Sequence, residues 1–215
     1  MALCDFLITK DLVGYDCNNS PVKGVEARGM LVNRSDIAPN YWTDGEFAVD
    51  FGLKAGAKGY EVIQSGKTPY NGTQQELVEG ANANTITNTL QLVVLKQDKD
   101  WAQQLFALMN GEFVAVLQNK QKNVPIGNCQ IYGWEAGLHC TGAVRELYND
   151  DTLAGWQITF TEEGAAKGNF FTSSAIFDLL DETLVGGYVP SYGHLGFEED
   201  PNGVIDNPDP TEPRT

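Results

Sequence analysis

Residues 84–96, NTITNTLQLVVLK, place Ile86, Leu90, Leu92 and Val94 at even positions, with Thr, Asn and Gln mostly between them. A period of two over that length means a strand with one buried and one polar face. The period then switches. DWAQQLFALMNG sets Trp101, Leu105, Leu108 and Met109 at i, i+4, i+7 and i+8, a helix over 99–110 that packs through Trp101, Leu105 and Leu108. Asp98 or Asp100 can cap its start, and Gly111 after Asn110 can stop it. EFVAVLQN (112–119) returns as a strand. One helix lodged between two long strands, with no repeating strand–helix alternation, argues against a doubly wound sheet.

The rest of the chain supplies short strands. Candidates are VEARGMLVN (25–33), FAVDFGL (47–53), GYEVIQ (59–64) and WQITFTEE (156–163), where Trp156, Ile158 and Phe160 alternate with polar residues. CQIYGWEA (129–136) and LHCTGAVREL (138–147) look like a hairpin turning at Glu135-Ala136-Gly137. In that reading Ile131 and Gly133 share one face, and Tyr132 and Trp134 the other. SSAIFDLLDETL (173–184) suits a short helix capped by Ser173 or Ser174, with Ile176, Phe177 and Leu180 inward. The expected fold is mainly β: an antiparallel β-sandwich or partly open barrel with one flanking α-helix.

Three parts follow from composition shifts. Residues 1–24 read as an N-terminal arm, 25–184 as the β domain, and 185–215 as an extended acidic tail. From residue 171 onward nine acidic residues face one basic residue, Arg214, and four prolines follow residue 200. Within the domain, SGKTPYNGTQQELVEGANANT (65–85) is a long polar excursion, and loops of that length are usually functional or disordered. Arms, long loops and strand edges join subunits through main-chain bonds, so Tyr70, Asn71, Gly72, Gln74, Leu77 and Val78 are the candidate interface residues. Solvated loops are the plainer reading of the same stretch.

Charge and chemistry narrow the function further. Fourteen basic residues stand against 29 acidic ones, a net of −15. That leaves no broad basic face for gripping nucleic acid. An acidic wall does suit a channel through which DNA must slide, and it also simply keeps a protein soluble. No stretch reaches the 18–20 apolar residues of a membrane span. MALCDFLITKDLVG has an early Asp5 and no basic region, so no secretory leader is expected, and the N-x-S/T matches at Asn33 and Asn71 carry no weight. Cys4, Cys17, Cys129 and Cys140 make no C-x-x-C pair, and whether Cys4 and Cys17 meet stays open.

The possible catalytic bases are His139 and His194. His139 and Cys140 are strand neighbours pointing to opposite faces, so they make no dyad. GLKAGAKG (52–59) lacks phosphate-loop spacing. Asp150-Asp151 and Glu162-Glu163 lack a glycosidase context, and DPNGVIDNPD (200–209) lacks calcium-loop spacing. No catalytic residue, cofactor or metal is expected. Tyr41, Trp42 and Tyr70 form an alternative, a sugar-stacking platform on a carbohydrate- or receptor-binding sandwich.

Several stretches in order carry a family resemblance. They are Cys4, LITKDL, Cys17 and VKGVEARGMLVNRSD; then YEVIQSGKTPYNGTQQ and TNTLQLVVLKQDKDWAQQLFALMNGEFVAVLQN; then CQIYGWEAGLHCTGAVRELYNDDTLAGWQITFTEEG. Over about residues 1–170 the chain resembles small virion structural proteins of tailed bacteriophages of Bacteroidetes hosts, including the crAss-like group. The acidic tail departs from the pattern. The resemblance implies a tail-tube-like fold and a homo-oligomeric ring, hexamer or dodecamer, in the phage tail or the portal–tail neck. Its neighbours would be portal, ring or tail proteins of the virion, and genomic DNA would pass through its lumen without specific binding.

Overall fold

The computed structural model describes residues 22–181 except 45–46, 82, 96–97, 122–127, 151 and 169. Cys4, Cys17 and His194, most of the expected arm and the whole expected tail lie outside the described residues. The strands are β1 Val25–Asn33, β2 Ile37–Asp44, β3 Ala48–Leu53, β4 Tyr60–Ile63, β5 Gln74–Val78, β6 Thr85–Val94, β7 Glu112–Asn119, β8 Cys129–Tyr132, β9 Leu138–Arg145, β10 Trp156–Ala165 and β11 Phe170–Thr172. The helix α1, Lys99–Asn110, lies between β6 and β7, where the change of period puts it.

All the strands belong to one sheet, with the path β2-β3-β11-β8-β7-β9-β10-β6-β5 and a branch in which β1 pairs β7 and β4. The expectation of a purely antiparallel sheet is corrected: β11 runs parallel to β3, through Phe171 and Ala48. The sheet is mixed and does not close into a barrel.

β7 explains the layout. Its residues 113–117 are all buried. Val114 and Val116 join Met30, Val32, Phe51, Ile131 and the Ile176–Leu179 segment in one core. Phe113, Ala115 and Leu117 join Leu31, Leu90, Leu92, Ile158 and Phe160 in a second. A strand with apolar side chains on both faces is a wall between two cores. β6 and β10 contribute to the second core together with β1 and β7. Bulges supply bends along the way, at Val25/Gly29 in β1, Thr159/Phe160 between β9 and β10, and Glu162/Ala165 in β10, where Gly164 takes φ +75°.

α1 lies on the surface with the expected face inward: Trp101, Leu105 and Leu108 pack against the second core. The Asp98 carboxylate accepts from the Trp101 amide at 2.9 Å, the capping bond that the sequence suggests. Gly111 closes the helix for a different reason from the one expected. Its φ is −90°, not left-handed, but a Cβ there would stand 2.4 Å from the Phe113 ring. The second helix is also corrected. It is a 3-10 helix over Ser174–Leu180, Ser173 makes no side-chain capping bond, and Leu179 is buried alongside Ile176 and Phe177. Leu180 is only partly buried.

Candidate functional site

The expected hairpin at 129–147 does not form. Tyr132 lies opposite Ala115, and Leu138 lies opposite Phe113. β7 moves on two residues while the chain moves on six, so β8 and β9 run in the same direction along β7. They are one extended path with four residues looped out. Gly133 and Gly137, both at φ +83°, mark where the chain leaves and rejoins β7. Trp134 therefore leaves the Tyr132 face and packs on the first core, tilted against Phe51 at 5.4 Å and edge-on to Tyr41 at 5.3 Å. Leu138 and Cys140 share the second core, with His139 exposed opposite, as the alternation predicts.

A single carboxylate holds the looped-out residues. Glu162 is 1% exposed. Its Oε2 accepts from the Gly133 amide at 2.8 Å and from Asn88 Nδ2 at 2.7 Å. Its Oε1 accepts from the amides of Glu135 at 3.0 Å and Ala136 at 2.8 Å. Burial of a charge is offset by such charge-assisted bonds. The network extends outward: Asn88 and Gln75 both donate to the Gly168 carbonyl, and Gln75 donates to Asn88 Oδ1 at 2.8 Å. Gln75 lies on β5, so the loop and the sheet edge share one hydrogen-bond chain. From the other side, Arg34 pairs with Glu112 and donates to the Glu135 carbonyl.

The excursion over 65–85 is partly regular, which corrects its reading as a loop. Residues 74–78 form β5, antiparallel to β6 from Gln74↔Thr89 to Val78↔Thr85. Beyond β5, side chains stand in for a strand along the β6 edge. Thr73 Oγ1 accepts from the Gln91 amide, and the Gln64 carboxamide both accepts from the Val93 amide and donates to its carbonyl. Tyr70 locks this stretch. It is 5% exposed, its hydroxyl donates to the Val62 carbonyl at 2.8 Å, and its backbone is left-handed at φ +55°. Burial first, then the Glu61 charge, raises its phenol pKa far above the ordinary range.

The six candidate interface residues thus divide. Tyr70 is an internal anchor and presents no ring to a sugar or a neighbour. Asn71 and Gly72 form an exposed turn, and Gln74, Leu77 and Val78 lie on an edge strand whose five residues are all exposed. Leu77 is 62% exposed. Of the sugar platform, Tyr41 is exposed and the Trp42 side chain lies outside the described residues.

The chemistry-bearing residues do not converge. Asp150 is on an exposed turn, Asp151 is outside the described residues, and Glu162 spends its acceptor atoms on the loop. Among the described residues no group of three His, Cys, Asp or Glu could hold a metal ion, and no helix is long and apolar enough to cross a membrane. Burial pushes the Cys129 thiol up to about 12. Only about one thiol in ten thousand would then be ionised at pH 8. Cys129 is expected to resist a maleimide in the native protein and to label on unfolding; peptide mapping after a timed pulse measures this, and labelling within minutes in the folded state would contradict the packing.

No family model matches this chain, and neither the curated proteins nor the solved structures contain a match to it.

Proposed function

We propose that this chain is a virion structural protein of a tailed phage, a subunit of a ring in the tail or the portal–tail neck that lines a conduit for DNA. The observation that carries the reading is the β5 edge. Among the described residues nothing pairs its outer side, it exposes Leu77 and Val78, and it is pinned in register by β6 and the Tyr70 anchor. An ordered edge gives main-chain bonds to a neighbour at little ordering cost. The resemblance of its strand and turn motifs, taken in order, to those of phage virion proteins supports the same reading, as does a net charge that discourages the wall from gripping phosphates. A tail-tube-like sandwich is the arrangement we assign to the two layers around the second core.

A concentration series of the full chain, followed by sedimentation and electron microscopy, tests the proposal. Rings or short tubes of uniform diameter are expected. Leu77→Lys with Val78→Lys is expected to abolish them while leaving thermal stability nearly unchanged, because exposed substitutions usually cost under about 0.5 kcal/mol. Compact monomers at every concentration, including in the presence of preformed assemblies from other preparations, would overturn it.

A further inference from the structure

We propose that the β9–β10 turn of one subunit docks into the recess of the β3–β4 connection on a second copy of this chain. This rests on the ring reading above and names a contact within it. The turn projects three large apolar side chains into solvent: Leu147, Tyr148, which is 98% exposed, and Leu153. It is a built structure. Asn149 Nδ2 donates to Glu146, Asn149 Oδ1 accepts from the Thr152 amide, and Arg145 Nε donates to the Ala154 carbonyl. Leu153 and Ala154 both sit in the left-handed region, at φ 49° and 59°. Two adjacent non-glycine residues there cost about 1–2 kcal/mol each, and the cost is spent on holding an apolar side chain in water. A tyrosine that becomes buried in a pocket of a partner is a frequent binding hot spot.

The recess suits that tip in charge, with two ammonium groups against the single carboxylate of Asp36. It measures about 630 Å³ and is lined, among the described residues, by Asp36, Lys54, Ala55, Ala57, Lys58 and Tyr60. Its walls join apolar surface to two ammonium groups, in a chain whose net charge is −15. Lys54 donates to the Ser35 carbonyl and has two further N–H donors to offer. The tip brings the carboxylates of Glu146 and Asp150, both exposed, beside its apolar residues. Opposite charge around an apolar contact fixes register and speeds encounter. Tip and recess lie on different elements, so the contact can repeat head-to-tail from copy to copy, and it closes into a ring where the rotation between copies allows.

Zero-length carbodiimide cross-linking of assembled wild-type protein tests this, with isotope-labelled and unlabelled chains mixed beforehand. An isopeptide of mixed isotope is expected between Glu146 or Asp150 and Lys54 or Lys58. Charge reversal at either side, K54E with K58E or D150K alone, should raise the concentration needed for assembly at least tenfold, roughly the effect of losing one close charge pair. Combining both sets should restore it to within about threefold. Tyr148→Ser, which removes no described internal contact, should also raise the threshold. Assemblies that form at the wild-type concentration in all these variants, or cross-links joining the lysines to another segment, would overturn the docking while leaving the ring. A chain that never assembles would overturn both.

Discussion

Glu162→Ala is expected to cost about 3–5 kcal/mol, the loss found when one partner of a buried charged network is removed. Three backbone amides and the buried Asn88 carboxamide lose their shared acceptor. At roughly 2–4 °C per kcal/mol for a domain of this size, the melting temperature should fall by about 10 °C. Glu162→Gln separates charge from shape. It keeps one acceptor atom but sets an NH2 against two N–H donors, so a loss of about 2–3 kcal/mol is expected. Thermal melts of the three proteins decide the matter. A change under about 1 kcal/mol in both variants would mean that the looped-out residues hold themselves.

Tyr70→Ala should cost a similar amount, about 3–5 kcal/mol for truncating a buried aromatic ring, but the damage should be local at first. The ring and its hydroxyl hold the Gln64–Thr73 stretch against the edge of β6. Without them that stretch opens and β5 loses its register. Trypsin cleavage after Lys67 should then accelerate by 100-fold or more, since about 3 kcal/mol in opening free energy is roughly that factor. Tyr70→Phe isolates the hydroxyl and should cost about 1 kcal/mol. The phenol also has a pH signature. Its folded pKa lies above the 10.0 of an ordinary tyrosine, so the stability it contributes is complete below pH 10 and is lost as pH rises further. Tyr132, raised to about 12 by burial, acts in the same direction. The alkaline fall in stability should be shallower in Tyr70→Phe; identical pH profiles would show that Tyr70 ionises freely in the folded protein.

The parts of this fold that were legible in the sequence are those in which one pattern acts alone. β6, α1 and β10 each carry a clean period and sit where it puts them, and β7 is a short apolar run that also falls where expected. β5 was hidden because both its faces meet solvent, so nothing selects apolar residues at alternate positions. β2 went unassigned in the sequence: it contains Pro39-Asn40, residues disfavoured in strands, yet lies at the end of the sheet path. β11 is three residues long and makes no pattern at all. The misread hairpin is the instructive case. Gly133 and Gly137 signal a break in a strand, and a glycine inside a strand pattern marks a bulge as often as a turn. What decides between them is Glu162, about 27 residues away in sequence from the amides it binds. No local pattern carries that information. Among the candidate interface residues, Tyr70 failed for a related reason: a tyrosine in a polar stretch looks solvent-facing until a carbonyl, here that of Val62, claims its hydroxyl.

The side chains of Gln64 and Thr73 also set a limit on growth. Because they occupy the β6 edge beyond Thr89, the strand surface left open on this side of the sheet, among the described residues, is the five residues of β5, roughly 17 Å at about 3.3 Å per residue. A neighbouring strand can pair over that length and then runs out of template. The edge therefore behaves as a ruler: long enough to recognise one defined segment, too short to seed an indefinite stack of strands.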